Sequence, residues 1–215
     1  IVLVYRTHPE NIRKIVYRAC LEAQLPQKFD SEKQTLVKIN LSNETPSPGT
    51  NTSPWILDAT LWTLRKLKFK DIKVIECDAA HGLKWAEKAL KGTKMDLILN
   101  KYNVEFINTD NLPHDKNELP TILKDSQLIN LPVIHTHDLA VISCAVKNLF
   151  GLLPVYRHKY HKTLAQKLLE LAQLVECFSI VDGTIGLHGG TPRIGDPVRM
   201  DLLLAGYDPL ALDLV

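Results

Sequence analysis

The stretch LPVIHTHDLAVISCAVKNLFGLLP, residues 131–154, is the most apolar long run in the chain, and its reading decides the fold. Its first part reads as a strand, because Val133 and Ile134 are β-branched and Pro132 stands at the entry. Strand side chains alternate between faces, so His135 and His137 project one way and Thr136 the other. Asp138 is the expected N-cap of a helix over 139–149. Gly151 is expected to end that helix in a left-handed turn, and Pro154 cannot continue it. Two imidazoles therefore come to the C-terminal end of a strand beside a helix start. In open α/β sheets that is where ligands bind.

Upstream of this run, residues 1–5 and 35–40 read as strands, with Leu36, Lys38 and Asn40 on one face of the second. A helix is expected over 11–23, where apolar residues recur at helical spacing. Residues 41–53 are polar and contain Pro46, Pro48 and Gly49, which marks a long loop. Loops of that length often serve as lids, so this one is expected to be mobile and to order over a ligand. Thr52 or Ser53 is expected to cap a helix over 55–67 with Pro54 at its first position. Residues 71–76 and 104–108 read as further strands, with helices over 82–90 and from 95 to about 101. The segment 121–129 reads as a short edge strand plus a turn.

Downstream, residues 162–175 form a clear amphipathic pattern through Leu164, Leu168, Leu171 and Val175. A strand over 178–181 ends at Asp182, and a glycine-rich loop, GTIGLHGGTPRIGDP, follows it. Residues 200–204 give a last strand, and Asp208-Pro209 starts a last helix. Strands alternating with helices predict an α/β domain of three layers, with a mostly parallel central sheet flanked by helices. One domain over residues 1–215 is expected. The chain ends inside an apolar pattern, so truncation at the C-terminus is expected as well.

Composition narrows the function classes. The chain has 215 residues, 45% of them hydrophobic and 23% charged, with a formal net charge of +2. These values suit a globular domain and give no footprint for nucleic acid or an acidic membrane surface. No run of about 18 apolar residues lacks a polar break. Cys20, Cys77, Cys144 and Cys177 are scattered and read as buried thiols of a reducing compartment, so a cytoplasmic location is expected.

The candidate site residues follow from these positions. His135 and His137 form an H-x-H pair on one strand, a pattern used for transition metals because both nitrogens converge. An acid/base or anion-binding role is the competing reading, and two polar residues bonded to backbone is the plainer one. Lys147 and Asn148 lie within an apolar helix, where a lysine must be paired or must reach water. Lys38 and Asn40 are polar positions on an apolar strand. In the glycine-rich loop, Gly189, Gly190 and Arg193 are candidates to hold an oxyanion. Lys38, His137 and Asp182 are expected to share one pocket at the C-terminal edge of the sheet. Lys147 falls roughly 13 Å along the expected helix, too far to join them from its own axis.

The runs HTHDLAVISCAVKNLFGLLP, VDG, GGTPRIG and LLLAGYDPLALD, with LVKIN and TSP upstream, resemble the family known as domain of unknown function 362. The resemblance covers nearly the whole chain. By position it carries over Lys38, Asn40, Thr136, His137, Lys147, Asn148, Asp182, Gly189, Asp208 and Asp213. The sequence departs from the family pattern at His135, usually lysine, at Ile39, usually proline, at Cys77, usually glycine, and at His188, commonly acidic. Members of the family occur near, or fused to, ferredoxin-like iron–sulfur modules, which implies a redox setting for some. This chain lacks ferredoxin cysteines, so a cluster would sit on a partner or on sequence beyond Val215. The leading expectation is an enzyme acting on a small anionic or nucleotide-like ligand, with Lys38, His137, Asp182 and Lys147 as its catalytic residues. The alternatives are a module that docks an iron–sulfur protein or holds a cofactor, and a metal-binding domain centred on His135 and His137.

Overall fold

A computed structural model describes residues 1–8, 10–78, 82–189 and 194–215. The elements are, in chain order, β1 (Val2–Arg6), α1 (Ile12–Glu22), α2 (Leu25–Lys28), β2 (Thr35–Lys38), α3 (Pro54–Lys66), β3 (Ile72–Glu76), α4 (Trp85–Gly92), α5 (Met95–Tyr102) and β4 (Glu105–Asn108). Then come β5 (Gln127–Asn130), β6 (Val133–His137), β7 (Val141–Ser143), α6 (Ala145–Leu149), α7 (Leu164–Leu174), β8 (Phe178–His188), β9 (Asp196–Gly206) and α8 (Pro209–Asp213). Short 3-10 turns at Thr109–Asn111, Thr121–Asp125, Phe150–Leu152 and Val155–Thr163 join several of them.

The sheet runs in the order β1-β9-β8-β5-β2-β3-β4. Its centre is parallel: β5, β2, β3 and β4 lie side by side, with β8 parallel to β5. β9 and β1 add an antiparallel edge. β6 continues β5 past Leu131-Pro132 and runs parallel to the outer half of β8, with β7 folded back on it. Parallel strands are covered on both faces, which is why every residue of the TLVK strand β2 is buried.

Alternation along the strands divides two cores. Val37, Val74 and Ile129 pack with Val16 of α1, Leu57 and Leu61 of α3, and Met95 and Leu99 of α5. Leu36, Ile75 and Leu128 face the other way, onto Leu149 of α6 and Leu164 and Leu171 of α7. The fold is α/β with three layers. Lys38 shares the face of Leu36, and so projects toward the α6 layer at the C-terminal end of its strand.

Several local expectations change. The helix expected over 139–149 is a hairpin return, β7, followed by the short α6. Asp138 is therefore not the cap of α6; the carboxylate of Asp213 takes that role, accepting the N–H groups of Ala145 at 2.7 Å and Val146 at 3.1 Å. Gly151 is not left-handed; it lies in the 3-10 turn after α6. A Cβ there would stand 2.9 Å from the Lys38 ammonium, which would have to shift to admit it. β5 is a central strand, not an edge. β8 does not stop at Asp182 but continues through His188, with an irregularity between Gly183 and Ile185, and pairs with the long β9. Residues 183–188 of the expected glycine-rich loop are thus strand.

The loop over 41–53 is pinned rather than poised as a lid. The Asn51 side chain accepts the N–H groups of Ser42 and Asn43, Thr52 Oγ1 donates to the Leu131 carbonyl at 2.6 Å, and Thr50 to Ser53 are buried. Gly49, at φ +80°, lies so close to Gly186 of β8 that a Cβ would stand 2.7 Å from its backbone. Among the described residues, no helix is long and apolar enough to cross a membrane.

Candidate functional site

A cavity of about 130 Å³ opens at the C-terminal ends of β2, β3 and β6, under α6 and the turn that follows it. Its lining includes Lys38, Glu76, Cys77, His135, His137 and Lys147, with Asn40, Ser143, Asn148 and Arg157 around them. A larger hollow of about 460 Å³ lies at the opposite end of β5 and β8, around Phe29, Gln127 and Tyr207. It gathers no comparable set of convergent polar groups, so the smaller cavity is the stronger candidate.

The floor is a buried ion pair. Lys38 Nζ lies 2.6 Å from Glu76 Oε1 and donates also to the Ile39 carbonyl at 2.9 Å. The Glu76 carboxylate accepts backbone N–H groups from Leu41 and Cys77. Charges taken this far from water persist only when paired and hydrogen-bonded, and both conditions are met. Arg157 enters from the 3-10 segment before α7. It donates to Asp110 at 3.2 Å, to the Leu153 carbonyl at 2.6 Å and to Cys77 Sγ at 3.1 Å. Burial pushes the Cys77 thiol up to about 12, so it stays protonated.

Lys147 differs from these two cations. It is the third residue of α6, half-buried, and its ammonium lies 4.6 Å from the Phe150 ring centroid. Among the described residues it has no hydrogen-bonded or carboxylate partner. Burial, reinforced by Arg157 and Lys38, lowers its pKa to about 8. Among the described residues one cation at the cavity is left without an anion: Glu76 offsets Lys38, Asp110 behind the lining offsets Arg157, and Lys147 is left over.

The two histidines sit on one side of β6 but are not equivalent. His135 is buried, and its Nδ1 lies 2.9 Å from the Thr136 carbonyl oxygen, which can only accept. Nδ1 therefore carries the proton and Nε2 keeps a lone pair. His137 Nδ1 instead accepts the N–H groups of Leu139 at 3.1 Å and Ala140 at 3.3 Å. The neutral His137 ring carries its proton on Nε2. Burial and the Lys147 charge hold His137 down at about 4, and burial lowers His135 as well, so both are neutral at pH 7. One imidazole offers an acceptor and its neighbour a donor.

This arrangement fits a metal poorly. With Nδ1 committed to two N–H donors, His137 has no lone pair on Nε2 unless the ring becomes an imidazolate. Among the described residues, no group of three or more His, Cys, Asp or Glu side chains is placed to hold a metal ion. All four cysteines are buried free thiols.

The structure brings together Lys38, His137 and Lys147, with His135, Asn40 and Asn148, in one cavity. Asp182 is not among its lining residues. It is fully buried in the middle of β8, where Oδ2 accepts the Ser53 N–H and Oδ1 accepts from the Thr184 N–H and hydroxyl. Burial raises its pKa. Its place is that of a tie between β8 and the start of α3, so the expected Lys38–His137–Asp182 pocket is corrected to Lys38–His137–Lys147. The long separation foreseen for Lys147 vanishes because α6 begins at Ala145 instead of 139. Asn40 anchors the pinned loop by donating to the Thr50 carbonyl. Asn148 donates to Asn130 Oδ1 at 2.7 Å. Gly189 donates its N–H to Thr136 Oγ1. Gly190 and Arg193 lie outside the described residues. Asp208 caps α8 through the N–H groups of Leu210 and Ala211.

Sequence reasoning passed over Glu76, Cys77, Asp110, Ser143 and Arg157. Glu76 was legible only as the last polar residue of a strand. Cys77 was legible only as a buried thiol that departs from the family pattern, and Asp110, Ser143 and Arg157 carried no periodic or motif signal.

The model of the family described as domain of unknown function (DUF362) matches residues 35–215. The chain belongs to this family. As a DUF362 chain, it is 35% identical over 97 residues to the thylakoid-associated protein sll1697 of Synechocystis sp., an alignment covering 41% of this chain and 30% of that protein. A crystal structure of a Thermotoga maritima protein superposes with a TM-score of 0.54 at 11% identity, covering 97% of this chain and 58% of the other. That likeness concerns the fold alone. The DUF362 chain therefore spans less than two thirds of either relative's length.

Proposed function

We propose that this DUF362 chain is an enzyme that binds a small anion, of carboxylate or phosphate size, in the cavity under α6. There it moves a proton between the ligand, Lys147 and the His135–His137 pair. The observation that carries this reading is the Lys147 ammonium, half-buried and, among the described residues, without a carboxylate partner, in a cavity whose other two cations are already offset. An unpaired charge in such a place is costly, and an anion relieves that cost. The complementary imidazoles add a base at His135 Nε2 and a donor at His137 Nε2. A volume of about 130 Å³ is well below the usual range for drug-sized ligands, which favours the small-anion half of the expectation over the nucleotide-like half. Asp182 has no part in this reading.

Thermal unfolding with phosphate, acetate and pyruvate tests it. A ligand at a hundredfold excess over its dissociation constant stabilises by about 2.7 kcal/mol. The gain should be largely lost in Lys147→Met. Equal stabilisation of both proteins, or none in either, would count against the site.

A second reading, a module docking a ferredoxin-like iron–sulfur protein, is favoured by an exposed apolar patch on the β6–β7 hairpin. Leu139 is 59% exposed and Val141 82%. It predicts ferredoxin binding that Val141→Glu abolishes in a titration followed by calorimetry, with no effect of Lys147→Met. A cytoplasmic location remains the accompanying proposal.

A further inference from the structure

The Lys147 amine is set up for more than holding charge. Among the described residues its one ring contact is Phe150, at 4.6 Å, and Phe150 in turn stacks on His161 with centroids 6.2 Å apart. The ammonium thus rests over an aromatic face while its nitrogen has no polar partner among the described residues. A lysine held among other cations in a poorly hydrated pocket has an appreciable neutral fraction near neutral pH, and neutral amines attack carbonyl carbon. Beside it stand an imidazole acceptor, an imidazole donor and the Ser143 side chain.

We propose that Lys147 forms a Schiff base with the ketone carbon of a small 2-oxo carboxylate. This rests on the anion-binding reading above and names the substrate class of the same cavity. The ammonium first gives a proton to His135 Nε2. The free amine then forms an N–C bond as the carbonyl π bond opens onto oxygen. A proton passes from nitrogen to that oxygen, giving a neutral carbinolamine. His135 returns its proton to the hydroxyl, the C–O bond breaks, and water leaves. The products are one iminium and one water from one ammonium and one ketone, so atoms and charge balance without an added oxidant or reductant. His137 Nε2–H can donate to the ketone oxygen as charge gathers there. The cavity's small volume restricts the acid to a few heavy atoms, and its surplus positive charge selects a carboxylate over a neutral ketone.

The full chain incubated with pyruvate and then sodium borohydride provides the test, read by peptide mass mapping alongside thermal unfolding with pyruvate, acetate and phosphate. The expected result is a single carboxyethyl group on the peptide containing Lys147, its yield rising with pH toward about 8 and beyond. Lys147→Arg should lose that label. Stabilisation by pyruvate without a label at Lys147, or a label spread evenly over exposed lysines such as Lys70, would overturn the Schiff base and leave anion binding standing. No stabilisation by any of the three anions, together with no label, would overturn both. Because wild-type mapping locates the adduct directly, the outcome does not depend on the variant folding.

Discussion

Replacing Lys38 by methionine probes the floor of the cavity. The variant removes the ammonium 2.6 Å from Glu76 Oε1, and the two side chains are 1% and 4% exposed. Deleting one member of a buried pair strands the other charge, at a cost of about 3–5 kcal/mol. Glu76 retains two backbone N–H donors, from Leu41 and Cys77. These soften the loss, so the lower end, about 3 kcal/mol, is expected. For a chain of this size that corresponds to a fall in Tm of roughly 6–12 °C. Urea unfolding of Lys38→Met, Glu76→Gln and the double variant closes a cycle whose coupling should exceed about 1 kcal/mol. The exposed Lys70–Glu32 pair serves as the comparison, since such pairs contribute less than about 1 kcal/mol. A loss of that smaller size in Lys38→Met, or additive effects in the double variant, would refute the argument that this pair is desolvated.

His137 supplies a pH signature. Its folded pKa, about 4, lies below the ordinary value of 6.5, so between those values the unfolded chain binds the extra proton. Stability should therefore fall as pH drops from about 6.5 to 4, and His137→Gln should flatten that slope in pH-dependent urea unfolding. In Lys147→Met, the His137 resonance followed by NMR should titrate higher than in wild type, because a neighbouring positive charge has been removed. Lys147 carries the opposite consequence at high pH. Its folded pKa of about 8 lies below the ordinary 10.5, so the burden of its charge is present in full below about 8 and disappears as pH rises toward 10.5. Lys147→Met should accordingly be more stable than wild type at pH 7, with the gap closing in alkaline buffer. Asp213→Ala removes the acceptor of two N–H groups at the start of α6. It should cost about 1–2 kcal/mol in urea unfolding and also weaken anion binding through Lys147. For metal, the assigned imidazole protons predict less than stoichiometric zinc or nickel by elemental analysis of protein purified without chelator or affinity tag, and no change on His137→Ala.

The general plan of the fold was legible because it rests on short-range patterns. Leu36 and Lys38 lie two apart in a strand, so their common face was legible in the sequence alone. Val133 and Ile134 likewise delivered His135 and His137 to a strand end. The failures came where two local rules competed. Residues 139–149 have helical spacing of apolar residues, yet the N–H groups of Leu139 and Ala140 bond to His137, the chain turns, and Val141 and Ile142 pair back onto β6. That turn moved Lys147 into the cavity. Glycines at 183 and 186 suggested a loop, but their lack of side chains instead lets β8 run close to Leu202 and Met200 of β9. Asp182 was consequently placed at a strand end it does not occupy. Glu76 and Arg157 were out of reach for a different reason. Their partners, Lys38 and Asp110, lie far away in sequence, and only the parallel register and the 3-10 segment after α6 bring them together.

The central claim, that the cavity takes an anion at Lys147, is tested most directly by diffraction from crystals soaked in selenate, a tetrahedral anion whose selenium is located by anomalous scattering. The account predicts a peak inside the cavity with a selenate oxygen within hydrogen-bonding distance of Lys147 Nζ, about 3 Å, and no such peak in Lys147→Met. Selenate found only at surface lysines and arginines, with the cavity bare in the wild-type protein, would contradict it.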